Sequence, residues 1–179
     1  MSVSEKAQEF MNVLPGDGTD LQYLTFALAE EMFAIDIRGI KEIIEYGGLT
    51  TVPMMPAFIR GVINLRGAVV PVIDLSVRFG RAPTVLGRRT CIVIIEVAND
   101  TGWQDVGVVV DAVSEVVEIP AGSIEPPPSF GARIRTEFIS GMGLLDGGFV
   151  ILLDVQRVLS VEEMTGLADL AQSDVAKAA

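Results

Sequence analysis

Four aspartates stand at or just after apolar, strand-like runs, where carboxylates could work as an acid/base pair. They are Asp36, Asp74, Asp111 and Asp154. General acid–base chemistry needs carboxyl groups that are held close together in different protonation states. Carboxylates at such positions more often end a strand, accept backbone hydrogen bonds or face water. We favour that structural role and predict no catalytic residue.

Other residues that commonly act in catalysis or bind metals are few. The chain has no histidine and a single cysteine, Cys91, which lies inside an apolar run. The usual base of a hydrolytic triad and the commonest metal ligand are therefore missing, and one thiolate cannot build a zinc site. Gly61 and Gly67 have the spacing of a phosphate-binding loop, but the lysine that should follow is absent. We predict no metal, no cofactor and no enzymatic activity.

Composition favours strands and excludes two classes of partner. Half of the 179 residues are hydrophobic but only 6% are aromatic, so the core must consist largely of valine, isoleucine and leucine, and the β-branched residues favour strands. The net charge of −11 repels phosphate backbones and anionic lipids, which argues against nucleic acid partners.

No apolar stretch approaches the about 20 residues that span a bilayer, so we expect no membrane insertion. Cys91 is expected to be buried, and the first residues lack a signal-peptide pattern. We expect a cytoplasmic protein.

An internal duplication organises the chain. Residues 33–45 align without gaps with residues 106–118, and residues 61–75 align with residues 141–155. Apolar positions match through the first pair of segments, and Gly61, Gly67 and Asp74 are identical to their counterparts in the second. Two matched blocks in the same order predict two similar structural units.

The second block of each copy reads as a β-hairpin. Arg66-Gly67 and Asp146-Gly147 each place a glycine where the turn needs a positive φ. Asp-Gly is a preferred pair for a type I′ turn, whereas Arg-Gly is not. Arg66 therefore either has a task beyond turning the chain or is an exposed residue that the turn tolerates. Trp103 likewise could be an interface anchor or could shield a barrel end.

Short strands separated by glycine and proline predict two small barrels or a sandwich. We expect residues 1–20 to form a flexible leader. Near the other end, Ser160 and Glu163 have capping-box spacing, and Met164 and Leu167 follow at helical spacing. These residues predict a short C-terminal helix that packs on a barrel.

Three segments, in order, resemble one family. Asn64-Leu65-Arg66-Gly67, within residues 61–75, resembles the signature of CheW proteins and of the CheW-like regulatory domain in CheA kinases. Residues 34–44 and 107–116 resemble the early and central segments of that family. The resemblance implies a mainly β fold, in which two intertwined SH3-like five-stranded β-barrels carry short helices and a C-terminal helix. The CheW-like domain would cover residues 21–165, and residues 166–179 would hold the helix end and a loose tail.

The same resemblance implies a function. It indicates a non-catalytic scaffold that couples the cytoplasmic helical tips of chemoreceptors to the regulatory domain of a CheA-type histidine kinase in chemotaxis. One alternative is an adaptor of a non-motility pathway, such as pili or surface behaviour. A second class is an enzymatic or small-molecule-binding barrel that uses the strand carboxylates.

The family motif also assigns partner-binding residues. Arg66 matches its arginine, and Glu42 matches an acidic position within reach of that arginine, so we hypothesise an ion pair that shapes the receptor groove. Apolar positions that resemble the receptor-contacting set are Ile40, Val113 and Val116, each of which could instead be barrel core. The full set of predicted partner-binding residues is Ile40, Glu42, Gly61, Asn64, Arg66, Gly67, Val113 and Val116.

Overall fold

The computed structural model describes residues 21–127 and 136–159, which form eleven strands, two short α-helices and three 3₁₀ turns. The strands are β1 (Leu21–Leu28), β2 (Glu31–Asp36), β3 (Ile40–Glu45), β4 (Ile59–Leu65), β5 (Ala68–Asp74), β6 (Cys91–Asn99), β7 (Gly102–Val110), β8 (Ala112–Ile119), β9 (Ile124–Glu125), β10 (Ile139–Leu145) and β11 (Gly148–Leu153). The helices are α1 (Leu75–Arg78) and α2 (Val155–Val158), and the 3₁₀ turns are Ile37–Gly39, Ala121–Ser123 and Thr136–Phe138.

The strands form two sheets that exchange hairpins. One sheet has the order β8-β1-β2-β11-β10-β9, and the other has the order β3-β6-β7-β5-β4. The β1–β2 hairpin of the first half thus pairs with strands of the second half, while the β6–β7 hairpin of the second half pairs with strands of the first. In each sheet the exchanged hairpin meets its neighbour in parallel, as β2 with β11 and β7 with β5. The prediction of two intertwined barrels is confirmed.

Each sheet closes on itself because the chain segment that follows the strand at one edge of the sheet pairs at the opposite edge. After β3, Thr50 forms a bridge with Val62 of β4, and after β8 the short strand β9 pairs with β10. A glycine at each of these two pairings lets the backbones come close together. A Cβ added to Gly61 would lie 2.5 Å from the Thr50 carbonyl oxygen, and one added to Gly141 would lie 2.7 Å from Ile124 Cγ2. The duplicated glycines therefore close the two barrels.

The alternation of side chains divides the apolar residues among three clusters. On β6, Cys91, Val93 and Ile95 enter a large cluster shared by both sheets, whereas Ile92 and Ile94 enter the smaller core of one barrel. Both faces of such a strand are buried, which explains the unbroken apolar run. The predicted burial of Cys91 is confirmed.

Arg78 ties the two halves together beside the shared core. Its guanidinium carbon lies 5.1 Å from the ring centre of Phe58 and 4.9 Å from that of Phe138, two rings at equivalent positions of the duplicated blocks. Its Nε donates a hydrogen bond of 2.9 Å to the Val158 carbonyl oxygen. The cation thus contacts both copies at once.

Predictions for the chain ends fall mostly outside the described residues. These include the leader over residues 1–20, the helix start at Ser160 and the tail over residues 166–179. The last helix that the structure describes is α2, which begins after Asp154. Within residues 21–127 and 136–159, no helix is both long enough and apolar enough to cross a membrane.

Candidate functional site

Arg66 lies at the tip of the β4–β5 hairpin in a turn that disfavours its side chain. Leu65 pairs with Ala68, so Arg66 and Gly67 form a two-residue loop with φ angles of 50° and 89°. These angles fit a type I′ turn, and residues other than glycine, asparagine and aspartate rarely adopt them. Asn64 stabilises the turn, because its Oδ1 accepts a hydrogen bond of 2.9 Å from the Gly67 amide. We name residues 64–67 the Arg66 turn.

A β-bulge places Glu42 beside this turn. Ile40 pairs with Ile95 and Glu42 pairs with Ile94, so Lys41 is the extra residue on β3. Bulges of this kind change where side chains point. Glu42 forms a forked ion pair with Arg66: Nη2 contacts Oε1, and Nη1 lies 3.5 Å from Oε2. The hypothesised ion pair is therefore present.

The electrostatics of the pair fix the charge of Arg66. The hydrogen bond to Glu42, together with the charge of that carboxylate, raises the pKa of Arg66, and the charge of Asp105 adds to the effect. The side chain of Arg66 is 72% exposed and that of Glu42 is 24% exposed. An exposed pair of this kind contributes little to stability because water screens it.

The second copy has the same backbone without the pair. Asp146 and Gly147 form the equivalent turn, with φ angles of 50° and 80°. The aligned counterpart of Glu42 is Glu115, on β8, which also follows a bulge. Both equivalents are acidic, so they cannot form an ion pair with one another. Of the two equivalent turns, only the first therefore carries an arginine–glutamate ion pair.

The predicted apolar positions all belong to the shared cluster. Val113 is buried within it, while Ile40 and Val116 are half-buried and pack against it. Val113 and Val116 lie on β8 of the six-stranded sheet, whereas Ile40 lies on β3 of the five-stranded sheet. These three residues therefore line the junction of the two sheets. Gly61 is buried in the barrel closure and has no side chain to offer.

The four aspartates considered for acid/base chemistry accept backbone hydrogen bonds. Asp36 accepts from the Arg38 amide, Asp74 from the Ser76 amide, Asp111 from the Ala29 amide and Asp154 from the Arg157 amide, at 2.9, 3.0, 2.8 and 3.2 Å. Asp74 is fully buried and also binds Arg60 at 3.1 Å. These carboxylates hold strand ends and turns, as the sequence favoured. Among the described residues, no cluster of acidic or cysteine side chains could hold a metal ion.

The sequence did not reveal a groove beside the Arg66 turn. It has a volume of about 350 Å³ and is lined by Lys41, Ala68, Val69, Val70, Glu96, Trp103, Gln104 and Asp105. Trp103 is 68% exposed and Val69 is 71% exposed, so Trp103 does not shield a barrel end. The signal available in the sequence was the divergence between copies: Lys41 aligns with Ser114, and Arg66 with Asp146.

Two interlocked barrels, built from sheets of six and five strands that exchange hairpins, define the fold class of this chain. The model of the CheW-like domain family matches residues 22–163. The chain is 37% identical over 160 residues to the chemotaxis protein CheW of Klebsiella aerogenes, covering 89% of this chain and 94% of the relative. It is 30% identical over 153 residues to the chemotaxis protein CheW of Treponema pallidum, with coverage of 83% and 88%.

A solved structure has the same fold. The crystal structure of the scaffolding protein TtCheW from Thermoanaerobacter tengcongensis superposes with a TM-score of 0.72 at 37% identity, covering 79% of this chain and 94% of that one. The chain belongs to the CheW family.

Proposed function

We propose that this chain is a non-catalytic cytoplasmic scaffold for chemotaxis. It couples the helical tips of chemoreceptors to the regulatory domain of a CheA-type histidine kinase. The relatives support the pathway, since they are named chemotaxis proteins and one is described as a scaffolding protein. The observation that carries the proposal is the Arg66–Glu42 pair, because it supplies an oriented cation at one of two otherwise equivalent hairpin tips.

The receptor contact is proposed at the Arg66 turn and the neighbouring junction of the sheets. The tip of a helical hairpin offers an apolar stripe and polar flanks. Ile40 and Val116 are half-buried at the junction and can extend the shared apolar cluster to a docked helix. Arg66 can then pair with an acidic or carbonyl group at the helix end, because its donors are not all used by Glu42.

The second copy supports a different partner surface. Leu144 and Phe149 face one another across the β10–β11 hairpin and are 50% and 52% exposed. Their counterparts in the first copy are Asn64 and Val69. An exposed leucine–phenylalanine pair at a hairpin end is a typical apolar anchor for a protein interface. We propose that the kinase regulatory domain binds there, so one chain holds both partners.

Scaffolding of this kind works through geometry and local concentration. A chain that holds receptor and kinase together makes their encounter intramolecular, which raises the effective concentration of each for the other. The state of the receptor can then shift the kinase between conformations through the fixed relative orientation.

Reconstitution from purified parts tests the proposal. Receptor-tip fragment and kinase regulatory domain should elute as one complex from size exclusion only when this chain is added. Arg66→Asn should lose the receptor fragment and keep the kinase domain, and Leu144→Ser/Phe149→Ser should do the reverse. Failure of the wild-type chain to retain both partners would contradict the scaffold.

A further inference from the structure

We propose that Lys41 is a positioning residue for Arg66, which it keeps paired with Glu42 by occupying the competing carboxylate of Asp105. The claim that Lys41 positions Arg66 is argued from the ion pairs and does not depend on the proposed function. Its consequence for receptor binding rests on the proposed function above.

Lys41 bridges two carboxylates that face one another. Glu96 of β6 and Asp105 of β7 are direct partners in the antiparallel register, a placement in which like charges repel. Lys41 Nζ lies 3.1 and 3.2 Å from the two Asp105 oxygens and 3.6 Å from Glu96 Oε2. Their hydrogen bonds and charges, those of Asp105 first, raise the pKa of Lys41. The ammonium thus offsets part of the repulsion between two carboxylates that the sheet register places side by side.

Asp105 is the natural competitor for Arg66. Lys41 and Asp105 line the same groove as Ala68, the residue that directly follows the Arg66 turn. The Asp105 charge also acts on the Arg66 guanidinium, as its effect on the pKa shows. With Lys41 present, Asp105 is engaged and the guanidinium keeps its forked contact with Glu42. Without Lys41, the repulsion from Glu96 would push Asp105 away, and Arg66 is a cation on which the Asp105 charge already acts.

The bulge in β3 makes this arrangement possible. Lys41 is the extra residue and Glu42 follows it, so one irregularity supplies both the cation for Asp105 and the anion for Arg66. The second copy supports the link between the two cations. It keeps the bulge, but Lys41 is replaced by Ser114 and Arg66 by Asp146, so both positive charges are missing together.

Four variants test the proposal: Lys41→Gln, Asp105→Asn, the double variant, and Arg66→Asn as the benchmark for full loss. Lys41→Gln should weaken binding of a receptor-tip fragment by about threefold to tenfold, as expected for a misoriented interface charge. Asp105→Asn alone should change binding by less than about twofold, because an exposed ion pair is lost. The double variant should bind like wild type, since the competitor is gone.

A direct readout of Arg66 accompanies the affinities. The Nε–Hε NMR signal of Arg66 should shift in Lys41→Gln and return to its wild-type position in the double variant. The melting temperatures of these two variants should change no more than that of Asp105→Asn. Unchanged binding and an unchanged signal in Lys41→Gln would overturn the inference. So would an unrescued loss in the double variant, which would mean that Lys41 touches the partner itself.

Failure of the proposed function is distinguishable from failure of this inference. If the wild-type chain does not bind the receptor fragment, the scaffold proposal fails, while the Arg66 signal still decides whether Lys41 positions the guanidinium.

Discussion

Arg66 and Asp146 occupy the same position in two equivalent type I′ turns, each with a φ of 50°, yet they carry opposite charges. Aspartate suits that backbone conformation, and arginine does not. The bulged acidic neighbour is kept in both copies, as Glu42 and Glu115, so only the first copy can form an ion pair. A disfavoured residue held by a dedicated partner therefore distinguishes the first hairpin tip from the second.

Replacing Arg66 by asparagine separates the turn from the charge. Arg66→Asn creates Asn-Gly, a preferred type I′ pair, so the melting temperature should stay the same or rise. Binding of a receptor-tip fragment should weaken by about tenfold or more, as for a central interface arginine. Calorimetric titration and thermal unfolding check both outcomes. Asp146→Asn is the matched control and should leave receptor binding unchanged; equal binding by the two variants would argue against the site.

The closure of the first barrel depends on Gly61. In Gly61→Ala the new Cβ would clash with the Thr50 carbonyl, so we expect a loss of about 3 kcal/mol in the free energy of unfolding. Denaturant unfolding measures it. Gly47→Ala is the control, because a Cβ at that position meets nothing within 4 Å. A loss no larger than that of the control would mean that the barrel closes differently.

The two aspartates that begin the short helices should differ sharply in their contribution to stability. Asp74 is fully buried, pairs with Arg60 at 3.1 Å and accepts hydrogen bonds from Thr84. Asp74→Ala should cost about 3–5 kcal/mol, because it leaves the Arg60 cation without a carboxylate partner in a largely buried site. Asp154→Ala removes an exposed helix cap and should cost about 1 kcal/mol. Chemical denaturation of both variants checks the ranking, and similar losses would contradict it.

Tyr23 should make stability fall at high pH. Burial first, and then the charge of Asp36, raise the pKa of Tyr23 above its ordinary value of 10.0. The folded chain therefore holds the phenol proton more tightly than the unfolded chain. The resulting stability is complete below about pH 10 and is lost as the pH rises through the folded pKa. Ultraviolet titration should show a late phenolate that disappears in Tyr23→Phe; a tyrosine signal unchanged by that substitution would contradict the assignment.

Local features of the fold could be predicted from residue patterns, whereas its long-range pairings were indicated only by the family resemblance. The Arg66 and Asp146 turns follow from Gly67 and Gly147, and the duplicated strands follow from aligned apolar positions. The exchange of the β1–β2 and β6–β7 hairpins depends on pairings between distant segments, which no local pattern encodes.

In the candidate site, too, some contacts could be predicted from the sequence and others could not. The Arg66–Glu42 pair could be hypothesised because the family motif supplies both residues. The contacts of Lys41 with Asp105 and Glu96 could not, because they depend on a bulge and on the register of three strands. β1 is also buried on both faces, because Tyr23 enters one barrel core and Leu24 enters the shared core.

An amide shift map with a receptor-tip fragment tests the central claim most directly. Titration into the isotope-labelled chain should give saturable shifts at Ile40, Glu42, Arg66 and Val116, with the Asp146 turn unchanged. No saturable shifts, or shifts confined to residues 144–149, would contradict a receptor site built by the Arg66–Glu42 pair at the junction of the two barrels.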